Sequence, residues 1–143
     1  MEMPLNNLNI SDDDAFKAVT VEIALNVHRD IVENDGGLAG ILNLGALESA
    51  LRSPLQTFDG AYLNPDIYHM AAGLLISLSK NHPFLDGNKR TAVVVTCMFL
   101  EFNGYKLTIP ESALIPFVLD VVENKINKEQ LVAYLKQHTK EAR

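Results

Sequence analysis

The chain has 143 residues, of which 48% are hydrophobic, and its formal net charge is −6. This length and composition exclude general disorder and suit a single domain over residues 1–143, while the acidic balance disfavours a broad nucleic-acid-binding face, because such faces are basic. No uncharged apolar stretch is long enough to span a bilayer and the start lacks a signal-peptide pattern, so we expect a cytoplasmic protein with no membrane or direct nucleic-acid partner.

The first part of the chain predicts two helices. Ser11 and the three aspartates after it are typical of an N-cap and a negative first turn, and apolar residues at three- and four-residue steps predict an amphipathic helix over 12–34. Gly36-Gly37 ends this pattern. Asn43 is placed to cap a shorter helix over 44–52.

Residues 53–64 mix turn formers with isolated aromatic residues, which predicts a small β-hairpin that turns at Asp59-Gly60. Asn64-Pro65 then favours the start of a helix with proline at its first position, reaching about Lys80. We therefore expect a hairpin followed directly by a core helix.

The segment after Asn88 is ambiguous by residue propensity, because its β-branched residues would also suit a buried strand. Its length, the possible N-cap Asn88 and the stop at Asn103-Gly104 favour a helix of about 15 residues. Such an all-round apolar helix should be central to the domain. It contains Cys97, the single cysteine of the chain, which we expect to be a small buried core residue without a disulfide partner.

The C-terminal part predicts a brief extension over 105–109 and two further helices, near 111–123 and 128–140. Asn127 and Gln130 are spaced for a capping box at the start of the last helix. The elements together predict a compact all-α domain with one small hairpin.

The loop before the central helix, His82–Thr91, concentrates polar and charged residues. Lys89 and Arg90 would lie in a first helical turn, where cations oppose the helix dipole. Two such unfavourable placements in succession indicate an anion site at the helix N-terminus, with phosphate as the obvious anion. An ordinary turn with a solvated Lys-Arg pair is the alternative.

This loop resembles the active-site motif of the Fic/Doc superfamily, and of its Doc (death-on-curing) branch in particular. Fic enzymes carry His-Pro-Phe-x-x-Gly-Asn-Gly-Arg, whereas Doc-like toxins carry His-x-Phe-x-Asp-Ala/Gly-Asn-Lys-Arg-Thr-Ala. The chain has His-Pro-Phe-Leu-Asp-Gly-Asn-Lys-Arg-Thr-Ala over 82–92. The resemblance covers about 26–107 and implies a Fic-fold helical bundle with a β-hairpin flap. Supporting segments are Gly36-Gly37, Gly40-Ile41, Leu47–Leu51 and Phe102–Tyr105.

The resemblance implies a role for each residue of the motif. His82 would be the general base that takes the proton of a target hydroxyl, and Asp86 would ligate Mg²⁺. Four residues would bind the phosphates of ATP, namely Gly87, Asn88, Lys89 and Arg90. Asn88 could cap the helix as well as donate to an anion.

The predicted hairpin is similar to the flap with which the family aligns a target protein by strand addition. Phe58 and Tyr62 would be target contacts or plain packing residues. His28 lies where Doc-like chains also tend to have histidine, and the sequence assigns it no role.

Two positions depart from the patterns of the superfamily. Leu42-Asn43 stands where Doc-like chains commonly have Arg-Asp, and Val93 stands where Fic enzymes have a second arginine that engages the distal phosphate of ATP. Lys89 also replaces the second glycine of the Fic motif. These two differences favour the Doc reaction, in which the nucleotide binds in the reversed orientation and its γ-phosphate is transferred.

The resemblance therefore implies an ATP-dependent protein kinase that acts as a toxin, with a translation factor such as elongation factor Tu as the kind of target. Fic-type AMP transfer and a catalytically silent Fic-fold binding module are the alternatives. The self-inhibiting Fic pattern Ser/Thr-x-x-x-Glu-Gly/Asn is missing, because Arg29 and Leu119 precede the two candidate Glu-Asn pairs. We therefore expect a separate antitoxin protein.

Overall fold

A computed structural model describes residues 16–142 of the chain. The described part is mainly helical, with two small antiparallel sheets, which confirms the all-α prediction with a small hairpin. Its helices are α1 (Val21–Asp35), α2 (Leu44–Arg52), α3 (Ile67–Asn81), α4 (Asn88–Phe102), α5 (Ile115–Val122) and α6 (Lys128–Gln137).

The α1 helix begins later than its apolar pattern predicts. Residues 16–20 are not helical, and the hydroxyl of Thr20 caps the helix by accepting from the N–H of Ile23 at 3.2 Å. A tertiary contact accounts for the difference: the Asn103 side chain accepts from the N–H of Lys17 and donates to its carbonyl, at 2.7 and 2.9 Å. The part of the prediction before residue 16, including the Ser11 cap, lies outside the described residues.

The predicted hairpin forms between β1 (Thr57–Phe58) and β2 (Ala61–Tyr62), which pair antiparallel. Asp59 and Gly60 both have positive φ, 54° and 79°, as a two-residue turn of this hand requires. The following helix starts slightly later than predicted, because Asp66 is its N-cap and accepts from the N–H of His69 at 2.9 Å.

The α3 and α4 helices form the centre of the domain. Most of their apolar side chains are buried, and one hydrophobic core also includes residues of the other four helices. The segment after Asn88 is thus a helix and not a strand, as predicted, and the helix ends as predicted at Asn103. Its start is corrected: Asn88 is the first helical residue, and Gly87 is the N-cap. In the described part of the chain, no helix is long and apolar enough to cross a membrane.

The C-terminal region contains a second small sheet that the sequence did not predict. The strand β3 (Tyr105–Leu107) pairs antiparallel with β4 (Thr139–Glu141), so the helix predicted to residue 140 ends at Gln137 instead. The helix predicted over 111–123 is split into a 3₁₀ turn, Glu111–Leu114, and α5. The capping box at the start of α6 is confirmed.

Candidate active site

The predicted site lies in the short loop that joins the two central helices. His82 ends α3 in the left-handed conformation, with φ 51° and ψ 57°, and its side chain is exposed. Pro83 and Phe84 follow as buried residues, and Phe84 is only 1% exposed. Phe84 therefore fixes the loop to the core while His82 stays open to solvent.

Asn88 is buried and holds the loop closed. Its Oδ1 accepts from the N–H of Phe84 at 2.9 Å, and its Nδ2 donates to the carbonyl of Phe84 at 2.8 Å. The side-chain amide is therefore engaged within the loop, and a contact from Asn88 to a phosphate would come from its main-chain N–H.

The α4 N-terminus is open to a ligand. Gly87, the N-cap, has φ 78° and offers no side chain to cap the first turn. The N–H groups of residues 88–90 have no intrahelical acceptor by geometry, and the helix dipole adds positive potential at this end. Lys89 and Arg90 are exposed in the same turn, so this terminus combines three kinds of anion-binding group.

Asp86 connects the loop to the segment that follows α1. Its Oδ2 accepts from the N–H of Leu38 at 2.8 Å, and a Cβ on Gly37 would lie 3.3 Å from the Cβ of Asp86. Because Gly37 has φ 119°, a side chain there would be strained as well as close. The Asp86 carboxylate is thus held in place with its other oxygen available to a cation.

A magnesium ion would fit this arrangement as a carboxylate-plus-phosphate site. Within residues 16–142, no group of three or more His, Cys, Asp or Glu side chains could hold a metal alone. Mg²⁺ commonly uses one or two carboxylates together with substrate phosphates and water, so Asp86 would be sufficient as its protein ligand.

An open pocket of about 220 Å³ brings most of the predicted residues together. Arg90 is not among the residues that line it, and its guanidinium lies 3.5 Å from the Asp35 carboxylate in an exposed pair. The structure therefore places Lys89, but not Arg90, at the pocket wall. The lining residues are His82, Leu85, Asp86, Gly87, Asn88 and Lys89.

Known proteins similar in sequence to this chain belong to one family. Residues 18–100, more than half of the chain, match the model of the Fic/DOC family. The chain belongs to the Fic/DOC family. Toxin Doc of Mycolicibacterium smegmatis is 40% identical over 72 residues, which are 50% of this chain and 55% of that protein. Protein kinase doc of Escherichia phage P1 is 27% identical over 92 residues, which are 64% of this chain and 72% of that protein.

Leu42-Asn43, which stands where Doc-like chains commonly have Arg-Asp, contacts the site loop of this Fic/DOC protein. Asn43 caps α2, since its Oδ1 accepts from the N–H of Ala46 at 2.9 Å. The N–H groups of Leu42 and Asn43 both donate to the carbonyl of Pro83, at 2.8 and 3.2 Å. The segment therefore supports the site loop through its main chain, and the Leu42 side chain is 58% exposed.

The two residues predicted for the flap have different environments. Phe58 is 75% exposed on β1, whereas Tyr62 is partly buried and packs edge-to-face against Phe16, with ring centroids 6.1 Å apart. Neither residue lines the pocket that contains His82. Phe58 is thus available to a partner, and Tyr62 has a packing role.

His28 is the site residue to which the sequence assigned no role. It is 5% exposed on α1, and its ring stacks on Phe84 with centroids 3.8 Å apart and planes 8° apart. Its Nε2 lies 2.8 Å from the carbonyl oxygen of Asp86. A histidine among the core-facing positions of an amphipathic helix was the available signal, because a buried polar group needs a partner.

Proposed function

We propose that this chain transfers the γ-phosphate of ATP to a hydroxyl side chain of a target protein, and that it acts as a toxin restrained by a separate antitoxin. One observation carries the proposal: an exposed histidine shares a pocket with a carboxylate and with an uncapped helix N-terminus that bears Lys89. Phosphoryl transfer depends on positioning and on charge stabilisation, and this pocket offers groups for both.

The pocket suits the phosphates of a nucleotide better than a whole nucleotide. Its volume of about 220 Å³ lies below the roughly 300–1,000 Å³ of pockets that enclose drug-sized ligands, so the nucleoside would extend outside. The main-chain N–H groups at the start of α4 would bind phosphate oxygens, and Lys89 would add a point charge. Asp86 would hold Mg²⁺, which would neutralise part of the phosphate charge.

His82 would act as the base for the attacking hydroxyl. Its side chain is exposed at the pocket, so a serine, threonine or tyrosine of another protein can reach it without rearrangement of the core. A base must come within hydrogen-bond reach of the proton that it removes, which an exposed position permits.

Two residues that differ from the Fic motif favour transfer of the γ-phosphate over transfer of AMP. Lys89 replaces the second glycine of the Fic motif, and Val93, at the position of the second Fic arginine, is 1% exposed in the core. No cation can act from position 93 on a distal phosphate, so the Fic orientation of ATP would lack one of its usual contacts.

The reaction is tested with purified protein, Mg²⁺ and a cell lysate in which target proteins are present. We expect label from γ-labelled ATP to appear on a discrete protein and to be absent with His82→Ala. Label from α-labelled ATP would instead indicate AMP transfer. Nucleotide binding without label on any protein would indicate a binding module.

The toxin role is tested separately by controlled expression in bacterial cells. We expect the wild-type protein to arrest growth and His82→Ala to relieve the arrest at equal protein level. If a small reading frame directly precedes the gene and encodes the antitoxin, its co-expression should restore growth. Unimpaired growth with active wild-type protein would contradict the toxin role while leaving the transfer reaction standing.

A further inference from the structure

The contact between His28 and Asp86 determines the direction of a main-chain group at the pocket. A carbonyl oxygen can only accept, so the 2.8 Å contact requires the His28 ring to carry a proton on Nε2 and to donate it to Asp86. The ring cannot swing away, because it is buried and stacked on Phe84. The carbonyl of Asp86 is therefore fixed toward α1.

The Asp86 carbonyl and the Gly87 N–H belong to one planar peptide unit. Every peptide bond in the described residues is trans, and in a trans peptide the C=O and N–H point in opposite directions. Fixing the carbonyl toward His28 therefore turns the Gly87 N–H away from α1. Gly87 lines the pocket, and a Cβ there would be in ordinary van der Waals contact with the His28 ring at 3.6 Å, so Gly87 lies next to that ring.

We propose that His28 is a positioning residue that aims the Gly87 N–H at the phosphate pocket and so adds a donor to the N–H groups at the start of α4. This inference rests on the proposed function for the identity of the ligand, but the hydrogen bond and its effect on Gly87 do not require turnover. His28 itself does not line the pocket, so it would act on a bound phosphate only through the peptide unit of Asp86 and Gly87.

Two substitutions separate the hydrogen bond from the stacking. His28→Phe keeps an aromatic ring on Phe84 and removes the donor, whereas His28→Gln keeps an N–H donor and removes the ring. We expect His28→Phe to weaken binding of Mg·ATP about 10-fold, as for the loss of one hydrogen bond to a charged group, and His28→Gln to retain more of it. The reverse order would show that His28 acts by packing alone and would overturn the proposal.

The Gly87 amide gives a readout that does not depend on catalysis. In ¹⁵N spectra we expect its resonance to move when inorganic phosphate or Mg·ATP is added to the wild-type protein, and to move much less in His28→Phe. An unmoved Gly87 resonance in wild type would overturn the inference, whereas failure of the labelling experiment alone would contradict only the transfer reaction.

The wild-type protein provides a further test that no folding defect can obscure. The ¹⁵N shifts of the His28 ring report which nitrogen carries the proton, and we expect a protonated Nε2. A ring protonated only on Nδ1 could not donate to the Asp86 carbonyl and would overturn the proposal.

Discussion

Both polar atoms of the Asn88 side chain are bonded to the main chain of one residue, Phe84. Oδ1 accepts from its N–H at 2.9 Å and Nδ2 donates to its carbonyl at 2.8 Å, and both residues are buried. This reciprocal pair closes the loop over four residues and brings Asp86 and Gly87 to its tip. The amide of asparagine suits this position, because one side chain must both accept a hydrogen bond from Phe84 and donate one to it.

We expect Asn88→Ala to lower the free energy of unfolding by at least about 2 kcal/mol. The substitution leaves two buried main-chain groups of Phe84 without partners, and each such loss costs about 1–3 kcal/mol. Urea unfolding measures the change. Asn88→Asp keeps the acceptor and loses the donor, so it should also be destabilised.

Asn26→Ala is the matched control, because Asn26 is exposed on α1 and only accepts from Arg29 one turn away. It should change the stability by no more than about 0.5 kcal/mol. Equal stability of Asn88→Ala and Asn26→Ala would contradict a structural role for the Asn88 amide.

Local signals in the sequence predict most of the helices but not all of their ends. Asn43, Asp59-Gly60 and the capping box at Asn127 specify a cap, a turn and a helix start from a few neighbouring residues, and all three are confirmed. The α1 start and the α6 end were predicted wrongly, because both depend on distant partners. Asn103 holds the chain before α1, and β3 draws the chain after α6 into a sheet.

The same distinction applies to the candidate site. The motif identified the residues that line the pocket, because these residues are consecutive or nearly so in the sequence and a motif is read from the sequence. It did not predict that Arg90 pairs with Asp35, or that His28 supports Asp86 from a helix 58 residues away in sequence. Such contacts depend on how α1 packs on the loop, and no local pattern encodes that packing.

His82 has a backbone conformation that glycine adopts at lower cost. At φ 51° a residue with a Cβ is strained, whereas glycine is the usual residue at a left-handed helix end. We expect His82→Gly to raise the free energy of unfolding by up to about 1 kcal/mol and to abolish transfer of label from ATP. Thermal unfolding and the labelling assay measure the two effects.

His82→Ala is the comparison for this substitution, because it removes the imidazole and keeps the Cβ. It should be inactive and less stable than His82→Gly. A His82→Gly protein that is less stable than His82→Ala would show that the left-handed conformation is not strained in solution.

The hairpin residues Phe58 and Tyr62 should respond differently to truncation. Phe58 is 75% exposed, so Phe58→Ala should leave stability within about 0.5 kcal/mol and raise the KM for the protein target. Tyr62 packs on Phe16, so Tyr62→Ala should lower the free energy of unfolding by about 1–2 kcal/mol. Urea unfolding measures the stability of each variant, and the rate of label transfer at increasing concentrations of the protein target gives its KM.

The KM for ATP is the internal control, since neither ring lines the phosphate pocket. It should be unchanged in Phe58→Ala. An unchanged KM for the protein target in this variant would contradict a role of β1 in target binding.

Cys97 should make the stability of the protein fall with rising pH in alkaline solution. Burial, followed by the nearby carboxylates of Glu111 and Glu101, raises the pKa of its thiol from 9.0 to about 12. Above about pH 9 the unfolded chain loses this proton while the native protein keeps it, so unfolding becomes easier by up to roughly 1.4 kcal/mol per pH unit. Below pH 9 both states hold the proton and the effect vanishes.

Urea unfolding of wild type and Cys97→Ala at pH 8, 9, 10 and 10.5 measures this contribution. Lysine and tyrosine side chains titrate in the same pH range in both proteins. The difference between wild type and Cys97→Ala in the slope of unfolding free energy against pH therefore isolates the contribution of the thiol. We expect wild type to lose stability more steeply than Cys97→Ala above pH 9, and native Cys97 to react slowly with a disulfide reagent at pH 8 because the thiolate is the nucleophile. Parallel slopes together with rapid labelling of the native protein would show that the thiol ionises without a burial penalty.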